Sequence, residues 1–470
     1  NRGIVFLIKK INGIWRRNTN SEVYWDVNDA GGYQVSINGE GNIYAVSIPW
    51  FGNNRGRVQV FSLTNTTADF GGGTKQLLFD TASSTIYNLN SSFLVDSVYI
   101  GHGGVRLNKT GNIVIFSSYH FDENGTDSGK VWVYTGDIEK QLETTTYDRN
   151  AAYPWQLYGS AILGNYGSLQ YTSGNSSFNG DRTGVAPSIN HKGNIISVGS
   201  TKYKGTDAGF ITVYKYESSK TVGDEDEHSI NFGPPNWKRL GNFIVGTNIT
   251  ATNNDGYRSK INSDGNRVIV AERLNDDLGT SNGSGNHGKI KIYELTNTYS
   301  SSTGTTIEIL NANSEVNVIS SGGNKYTFNE NTSYNQYYGI SRGKYIFKNI
   351  PQSHPMAIIN SKTTLAPANA NYRQIGQDIY NSAGTNMNFQ SAMSKDGTVI
   401  AVQNNGNNNL GYIRIFEYTS GTWTQRGQTI QGHATSAYLG NSTISLNDDG
   451  TIIAMGNFSY NSNRGYVRIF

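Results

Sequence analysis

Apolar residues recur along the chain in two kinds of short run. One kind is almost wholly apolar, as in TIIAM from Thr451, and predicts a strand that is covered on both faces. The other kind alternates, as in GYIRIF, where Ile413 and Ile415 point one way and their neighbours the other. Such alternation predicts a half-buried strand. The pattern as a whole therefore indicates an all-β chain of short strands.

A tight turn precedes each wholly apolar run. It reads NGEGN, NKTGN, NHKGN, NSDGN, SKDGT or NDDGT, and in each case Asn or Ser opens the turn and Gly stands near its end. Hairpin loops of about four residues are built this way, because Gly accepts the positive φ that the last turn position requires. The predicted structural turn glycines are Gly41, Gly111, Gly193, Gly265, Gly397 and Gly450.

A further element lies between the copies and contains a bulky aromatic residue before a Gly. It reads WQLYGSAI, WKRLGNFI or WTQRGQTI, and RQIGQDI where the Trp is missing. We expect this element to be the outermost strand, with its large ring closing the gap between neighbouring units. The predicted packing residues are Trp15, Trp155, Trp237 and Trp423.

Four antiparallel strands that recur at intervals of roughly 50–80 residues predict a propeller blade. The expected fold class is therefore an all-β β-propeller of six, alternatively seven, four-stranded blades. A single blade cannot cover both faces of its sheet, and stacking around a ring buries them. The gap between Gly265 and Gly397 is about twice the usual period, so a degenerate seventh blade fits there.

The domain boundaries follow from the repeat. We predict a first propeller part over 1–312, a small inserted β unit over 313–360, where the pattern breaks, and a last propeller part over 361–470. Within the two propeller parts, blades are expected near 31–80, 102–160, 183–245, 256–312, 389–430 and 441–470. Residues 1–20 resemble a third and a fourth strand. The ring therefore closes through them, or the array continues past both ends.

Composition excludes several classes of function. The net charge is +3 with both signs scattered, so no basic stripe is present for nucleic acid. No apolar run approaches the roughly eighteen residues of a membrane span, so we expect no membrane insertion. The chain has no Cys, which removes disulfides, thiolate metal sites and Cys nucleophiles.

Three motifs together resemble a known family of repeats. They are W-x-Q-x-G-x-x-I from Trp423, S-x-D-G-T-x-I-A from Ser394 and G-x-V-R-I-F from Gly465. The combination resembles the integrin-α-like (FG-GAP-like) propeller repeat, in the variant found in large surface proteins of marine bacteria and giant viruses. The resemblance implies a surface interaction module without chemistry of its own, and calcium in acidic loops, as in many relatives.

Calcium requires six to eight oxygen ligands, usually with several carboxylates. The equivalent loops here are mostly rich in Asn, as in GNNRG and NNGNNNLG. The candidate calcium ligands are the few acids in such loops, Asp122, Asp127, Asp276 and Asp277. We expect no other cofactor and no catalytic residue.

Four aromatic residues in loops have two possible roles. Trp50, Phe51, Tyr119 and Tyr203 either stack on sugars or pack over blade edges.

The expected function is a non-catalytic structural and adhesion module on a cell or virion surface, outside the cell. Its expected partners are other surface or fibre proteins, further copies of itself, or glycans. Two alternatives stay open. A glycan-binding, lectin-like propeller would repeat aromatic and Asn pockets on its blades. A propeller-type glycoside hydrolase would need two carboxylates in one cleft.

Overall fold

The fold is described from a computed structural model of the chain. The described residues are 2–29, 31–63, 75–81, 98–124, 126–137, 155–164, 180–201, 209–217, 236–246, 258–272, 288–297, 308–310, 315–320, 326–328, 338–340, 346–348, 370–380, 390–404, 410–432, 439, 443–457 and 466–470. They divide into two compact units, 1–294 with 374–470, and 295–373.

The strands are numbered in chain order. The chain opens with a two-stranded hairpin, β1 (Arg2–Ile11) and β2 (Ile14–Val27). Blade 1 contains β3 (Gln34–Ile37), β4 (Ile43–Ile48), β5 (Arg57–Leu63) and β6 (Lys75–Asp80). Blade 2 contains β7 (Gly104–Leu107), β8 (Ile113–Ser118), β9 (Lys130–Thr135), β10 (Gln156–Leu157) and β11 (Ile162–Leu163). Blade 3 contains β12 (Val185–Ile189), β13 (Ile195–Ser200), β14 (Phe210–Tyr216), β15 (Trp237–Arg239) and β16 (Ile244–Val245).

Blade 4 begins with β17 (Arg258–Ile261), β18 (Arg267–Glu272) and β19 (Lys289–Asn297). The strands of the second unit follow, β20 (Glu308–Leu310), β21 (Glu315–Ser320), β22 (Tyr326–Phe328), β23 (Tyr338–Ile340) and β24 (Ile346–Lys348). Blade 4 is then completed by β25 (Ala370–Gln374) and β26 (Ile379–Tyr380). Blade 5 contains β27 (Ser391–Met393), β28 (Val399–Asn404), β29 (Tyr412–Thr419), β30 (Thr422–Gln425) and β31 (Ile430–Gln431). Blade 6 contains β32 (Ile444–Leu446), β33 (Ile453–Asn457) and β34 (Tyr466–Ile469).

The predicted β-propeller is confirmed. Its blades are antiparallel meanders in which consecutive strands are neighbours, and the β1–β2 hairpin counts as the seventh blade. In blades 2 to 5 the outer strand is divided into two short pieces, and both pieces pair with the third strand. The only helical segment among the described residues, α1 (Phe51–Asn54), is a four-residue loop in which Gly52 and Asn53 have left-handed dihedrals.

The apolar second strands are buried on both faces, as their sequences predict. All six residues of β4, β8 and β28 are buried. Apolar clusters fill the space between consecutive blades, for example Val58, Phe79, Phe116 and Trp132 between blades 1 and 2. Each large side chain buried in this way contributes on the order of 1.5–3 kcal/mol relative to leaving it exposed. Radial stacking therefore supplies the core.

The outer-strand Trp residues connect neighbouring blades. Trp155, Trp237 and Trp423 are at most 3% exposed. The indole N–H of Trp237 in blade 3 donates to the Tyr158 carbonyl of blade 2 at 2.8 Å, and that of Trp423 in blade 5 donates to the Ile375 carbonyl of blade 4 at 3.0 Å. Trp15 differs, because it is 46% exposed on the hairpin, where it pairs with Lys10.

The six predicted turn glycines lie at the hairpins between first and second strands, and each has a positive φ between 68° and 82°. The Asn at the first position stabilises such a turn. In blade 3, for example, the Asn190 side-chain oxygen accepts the N–H groups of Asn194 and Ile195, both at 3.0 Å.

The turns of successive blades are also joined to one another. In the turns of blades 1 to 5 the second residue donates its N–H to the carbonyl of its counterpart in the next blade, at 2.8–3.2 Å. We call this chain of hydrogen bonds the turn ring. Its members, from blade 1 to blade 6, are Gly39, Lys109, His191, Ser263, Lys395 and Asp448.

The second unit, 295–373, contains the residues 313–360 that the sequence sets apart. Its strands are short. β20 pairs with β23 in parallel, while β21 pairs with β22 antiparallel and with β24 in parallel. This mixed pairing differs from the antiparallel meanders of the blades.

Candidate functional site

Aromatic and imidazole rings gather at the end of the propeller opposite the turn ring. They come from the loops that enter the first strands and leave the second strands of blades 1 and 2. We call this group the aromatic cluster, and its members are Tyr33, Trp50, Tyr99, His102, Tyr119 and His120.

His102 stands at the centre of the aromatic cluster. Its ring centroid lies 5.1 Å from that of Tyr33, 5.5 Å from that of Trp50 and 4.9 Å from that of Tyr119. The His120 ring stacks on it at 5.4 Å with an interplanar angle of 15°. Rings from two blades therefore form one wall with a continuous aromatic surface.

His102 is held in its neutral form. Burial, together with the charges of His120 and Arg258, lowers its pKa to about 4. Its Nδ1 atom is buried and has no hydrogen-bond partner among the described residues. A buried polar atom without a partner costs about 1–3 kcal/mol, so this nitrogen marks a place where a ligand or a water is expected.

Three basic residues lie on the first strands of blades 2 and 4, and the charge of one of them, Arg258, acts on His102 of the aromatic cluster. They are Arg106, Arg258 and Lys260, which we call the cationic group. Burial and, to a smaller extent, the Arg258 charge lower the pKa of Arg106 to about 10. The pKa of Lys260 is also lowered, first by burial and then by both arginines.

The position of these cations follows from the alternation of the first strands. On β17 the side chains of Ser259 and Ile261 are buried between blades, so those of Arg258 and Lys260 take the other direction and are partly exposed. Arg106 takes the same direction on β7 and donates to the Gln34 side-chain oxygen of blade 1 at 3.3 Å. Like charges held together in partly buried surroundings favour an anion between them.

Asp127, one of the four candidate calcium ligands, contacts two basic groups. Its carboxylate lies 3.0 Å from His120 Nδ1 and accepts a hydrogen bond from Arg182 Nη2 at 2.8 Å. The hydrogen bond with His120 is the main cause of its lowered pKa. Asp122 accepts the Asp127 N–H at 2.7 Å, whereas Asp276 and Asp277 lie outside the described residues.

The loop aromatics named from the sequence fall in different places. Trp50 and Tyr119 belong to the aromatic cluster, and Phe51 packs under the Arg57 guanidinium at 4.7 Å. Tyr203 lies outside the described residues. Neither His102 nor the cationic group follows from the sequence motifs. The one local signal is that His102 stands in Gly-His-Gly-Gly, where the glycines permit close approach of the backbones.

Two other kinds of site are absent from the described segments. No helix there has the length and apolar character required to cross a membrane. In the same segments, no three or more His, Asp or Glu side chains are grouped so as to hold a metal ion.

The comparisons with known proteins find likeness at the level of structure. No protein-family model matches the sequence, and no curated protein matches it. A solved structure from Bacteroides uniformis, described as a "putative 6-phosphogluconolactonase", is 9% identical, with 97% of this chain and 94% of that chain covered and a TM-score of 0.39. A structure of the same description from Bacteroides fragilis is 11% identical, with 99% and 93% covered and a TM-score of 0.39. TolB from Acinetobacter baumannii is 10% identical, with 90% and 59% covered and a TM-score of 0.33.

The adhesion function expected from the sequence is contradicted by this comparison. Two of the similar structures are named as phosphogluconolactonases, and they cover nearly the whole chain. Neither printed name contains an adhesion role, so the function of a surface adhesion module is withdrawn. With identities of about a tenth and TM-scores below 0.5, these structures transfer no activity to this chain.

Proposed function

We propose that the aromatic cluster and the cationic group form one binding site for a small organic anion that carries a ring. The observation that carries the proposal is the juxtaposition of three basic residues: Arg258 lies close enough to Arg106 to lower its pKa, and both arginines lie close enough to Lys260 to lower its pKa. A carboxylate or phosphate group would relieve this repulsion, and arginine is suited to both because of its forked donors.

The aromatic cluster supports the choice of a ring-bearing ligand. Flat rings bind by stacking on Trp and Tyr, and such contacts contribute about 0.5–1.5 kcal/mol beyond the area they bury. His102 supports it too, because its neutral ring adds no competing charge and its buried Nδ1 offers a hydrogen-bond position. The site thus has a polar, positively charged part and an apolar part, as small-molecule sites usually do.

The proposal is tested by calorimetric titration with a matched series of benzoate, benzyl phosphate and benzyl alcohol. We expect both anions to bind and the alcohol, which has the ring but no charge, to bind at least about tenfold more weakly. Binding should weaken as salt is raised, since screening acts on the charge contribution. Equal binding of the alcohol would contradict the proposal.

Lys260→Met tests the protein side of the same site, since it removes one charge of the cationic group and keeps the length of the side chain. Lys238→Met is the control, because Lys238 is a mostly exposed residue of the outer strand β15. We expect the first variant to weaken anion binding about tenfold or more and the second to leave it unchanged. An unchanged affinity in Lys260→Met would place the anion elsewhere.

We further propose that the site binds its ligand without catalysing a reaction. A general base works best when its pKa is near the working pH, and a pKa of about 4 makes His102 a weak base. Incubation with a carboxylate-bearing aryl ester tests this proposal. We expect hydrolysis at the buffer rate, and a faster rate that is lost in His102→Gln would contradict it.

We also propose that the repeats are of the integrin-α-like kind, as the motifs at Ser394, Trp423 and Gly465 suggest. The buried outer-strand Trp residues and the glycine turns support this proposal, because the motif positions then have defined roles in blade packing and in turn formation. Homologues in which these positions do not recur would contradict it. An exterior location and surface-protein partners stay predictions.

A further inference from the structure

Blade 4 contains a group of buried charged side chains. Lys289 is 1% exposed, Glu272 2% and Lys291 7%. The Lys289 ammonium lies 3.5 Å from the Glu272 carboxylate and 3.7 Å from that of Asp378, and the Lys291 ammonium lies 3.6 Å from that of Glu272. Because taking charges out of water is costly, a buried ion pair is weak evidence for a stabilising role. The group therefore calls for another role.

Three neighbouring strands bring the reactive groups together. Glu272 ends β18 and pairs directly with Lys289 at the start of β19. Asp378 comes directly before β26, in which Ile379 pairs with Ile290, the residue after Lys289. The lysine thus lies between two carboxyl groups, one from each of the strands that flank its own.

Other blades have different residues at these three positions. The pairs that correspond in register to Glu272 and Lys289 in blades 2, 3 and 5 are Ser118 with Lys130, Ser200 with Phe210 and Asn404 with Tyr412. The residues that correspond to Asp378 in the same blades are Ala161, Phe243 and Thr429. A lysine between two acids is therefore not a requirement of the blade itself.

The surroundings of the group favour a reaction within it. Burial raises the pKa of Glu272, although the charges of Lys291 and Lys289 act in the opposite direction. A carboxyl group with a raised pKa exchanges protons more readily near neutral pH. The Asp378 carboxylate is held in place, because it accepts hydrogen bonds from the Tyr380 hydroxyl at 3.1 Å and from the Gln374 amide at 2.5 Å. Reactants held in position behave as if they were highly concentrated.

We propose that Lys289 and Asp378 form an intramolecular isopeptide bond, with Glu272 as the residue that transfers the protons. Glu272 takes a proton from the Lys289 ammonium, and the neutral amine attacks the side-chain carbonyl carbon of Asp378. A bond forms between Lys289 Nζ and Asp378 Cγ, and one Cγ–O bond of Asp378 breaks. The two protons that the ammonium loses reach the leaving oxygen through Glu272. One water is released, and the reaction requires no oxidant and no further reactant.

The bond has a structural consequence for blade 4. The chain leaves this blade after β19 and returns to it at β25, and the second unit, 295–373, lies between the two cross-linked residues. An isopeptide bond there turns this whole segment into a covalently closed loop. Closing a long loop restricts the unfolded chain, so the bond stabilises the blade at the point where the second unit is inserted.

Intact-mass spectrometry of the denatured 470-residue chain tests the proposal. We expect a mass lower by one water than the mass of the sequence. Proteolysis should release a branched peptide that joins the segments containing Lys289 and Asp378. The full sequence mass would overturn the proposal. A water loss confined to a linear peptide, as in an Asp succinimide, or a branch at Lys291 would overturn it as well.

Three variants assign the roles of the residues. Asp378→Ala removes the carbon that is attacked, and Glu272→Gln removes the proton carrier with little change in size. We expect each to have its full sequence mass, with circular dichroism verifying the fold. A water loss that persists in either variant would contradict the role given to that residue.

Lys130→Met is the matched control. Lys130 also begins a third strand, is 6% exposed and is paired with Glu123, but Ala161 stands at the position of Asp378. We expect this variant to retain the loss of one water. If it has its full sequence mass, the bond involves Lys130 and the proposal is wrong.

Discussion

The Lys109 ammonium lies 3.4 Å from the Asp448 carboxylate, although 339 positions separate the two residues in the chain. Lys109 belongs to the turn of blade 2 and Asp448 to that of blade 6, so the pair spans the axis of the propeller. Both side chains are about half exposed, and exposed ion pairs contribute little stability. The significance of the pair is geometric, because it shows that the row of blades curves enough to bring the turn of blade 6 close to that of blade 2.

Two glycine substitutions distinguish the destabilisation caused by a left-handed backbone conformation from that caused by a steric clash. Gly265 has a φ of +76°, and an added Cβ would lie 2.8 Å from the Ile195 side chain of blade 3. Gly421 has a φ of +84° with open space around it. We expect Gly421→Ala to lower the free energy of unfolding by about 1–2 kcal/mol.

Gly265→Ala should cost clearly more than Gly421→Ala, because it adds the clash to the backbone strain. Chemical denaturation of both variants measures the difference, provided that unfolding is cooperative. Equal losses in the two variants would show that the turn does not pack against blade 3.

Trp237 tests the contribution of the outer strands to blade packing. It is 1% exposed, and its indole N–H is bonded to the Tyr158 carbonyl of the preceding blade. Trp237→Ala should lower the free energy of unfolding by about 3–5 kcal/mol. Trp15→Ala is the control, since Trp15 is 46% exposed, and we expect a change within about 0.5 kcal/mol. A large loss in Trp15→Ala would instead indicate that this ring is buried in solution.

His102 should make stability depend on pH in the mildly acidic range. Its pKa is about 4 in the folded protein and near 6.5 when exposed, so the unfolded chain binds the proton more readily between these values. Its contribution is complete above about pH 6.5 and declines as the pH falls to 4. The total change is at most about 3 kcal/mol.

His102→Gln removes the titrating group, so its unfolding free energy should change less between pH 6.5 and 4 than that of the unsubstituted chain. The pKa of Asp127 is lowered from its usual value of 3.8, so protonation of that carboxylate affects stability at a lower pH than protonation of His102 does. Parallel denaturation curves at several pH values measure the effect. Identical pH profiles for the two proteins would contradict a buried, neutral His102.

The sequence predicts the fold because its signals are local and repeated. Asn190 and Gly193 fix a turn within four residues, and the apolar run after them must be buried whatever surrounds it. The same holds for Trp237, because so large an apolar side chain is expected to be buried against a neighbouring element. Trp15 stands in a similar motif but is exposed, because its environment depends on which strands precede it, and no local pattern contains that information.

The candidate site was not predictable in the same way. His102 and Trp50 come from loops of blades 2 and 1, and Arg258 comes from strand β17 of blade 4. They meet only because the ring brings these elements to one end. Read singly, each is an ordinary polar or aromatic residue. The sequence does mark Trp50 and Tyr119 as stacking candidates, but it does not indicate the cations beside them.

The most direct test of the proposed anion site is a crystal structure of the chain soaked with benzyl phosphate. We predict density for the phosphate within hydrogen-bonding distance of the Arg258 and Lys260 side chains, and for the ring against the aromatic cluster. Density confined to another surface, with none at the cationic group, would contradict the account.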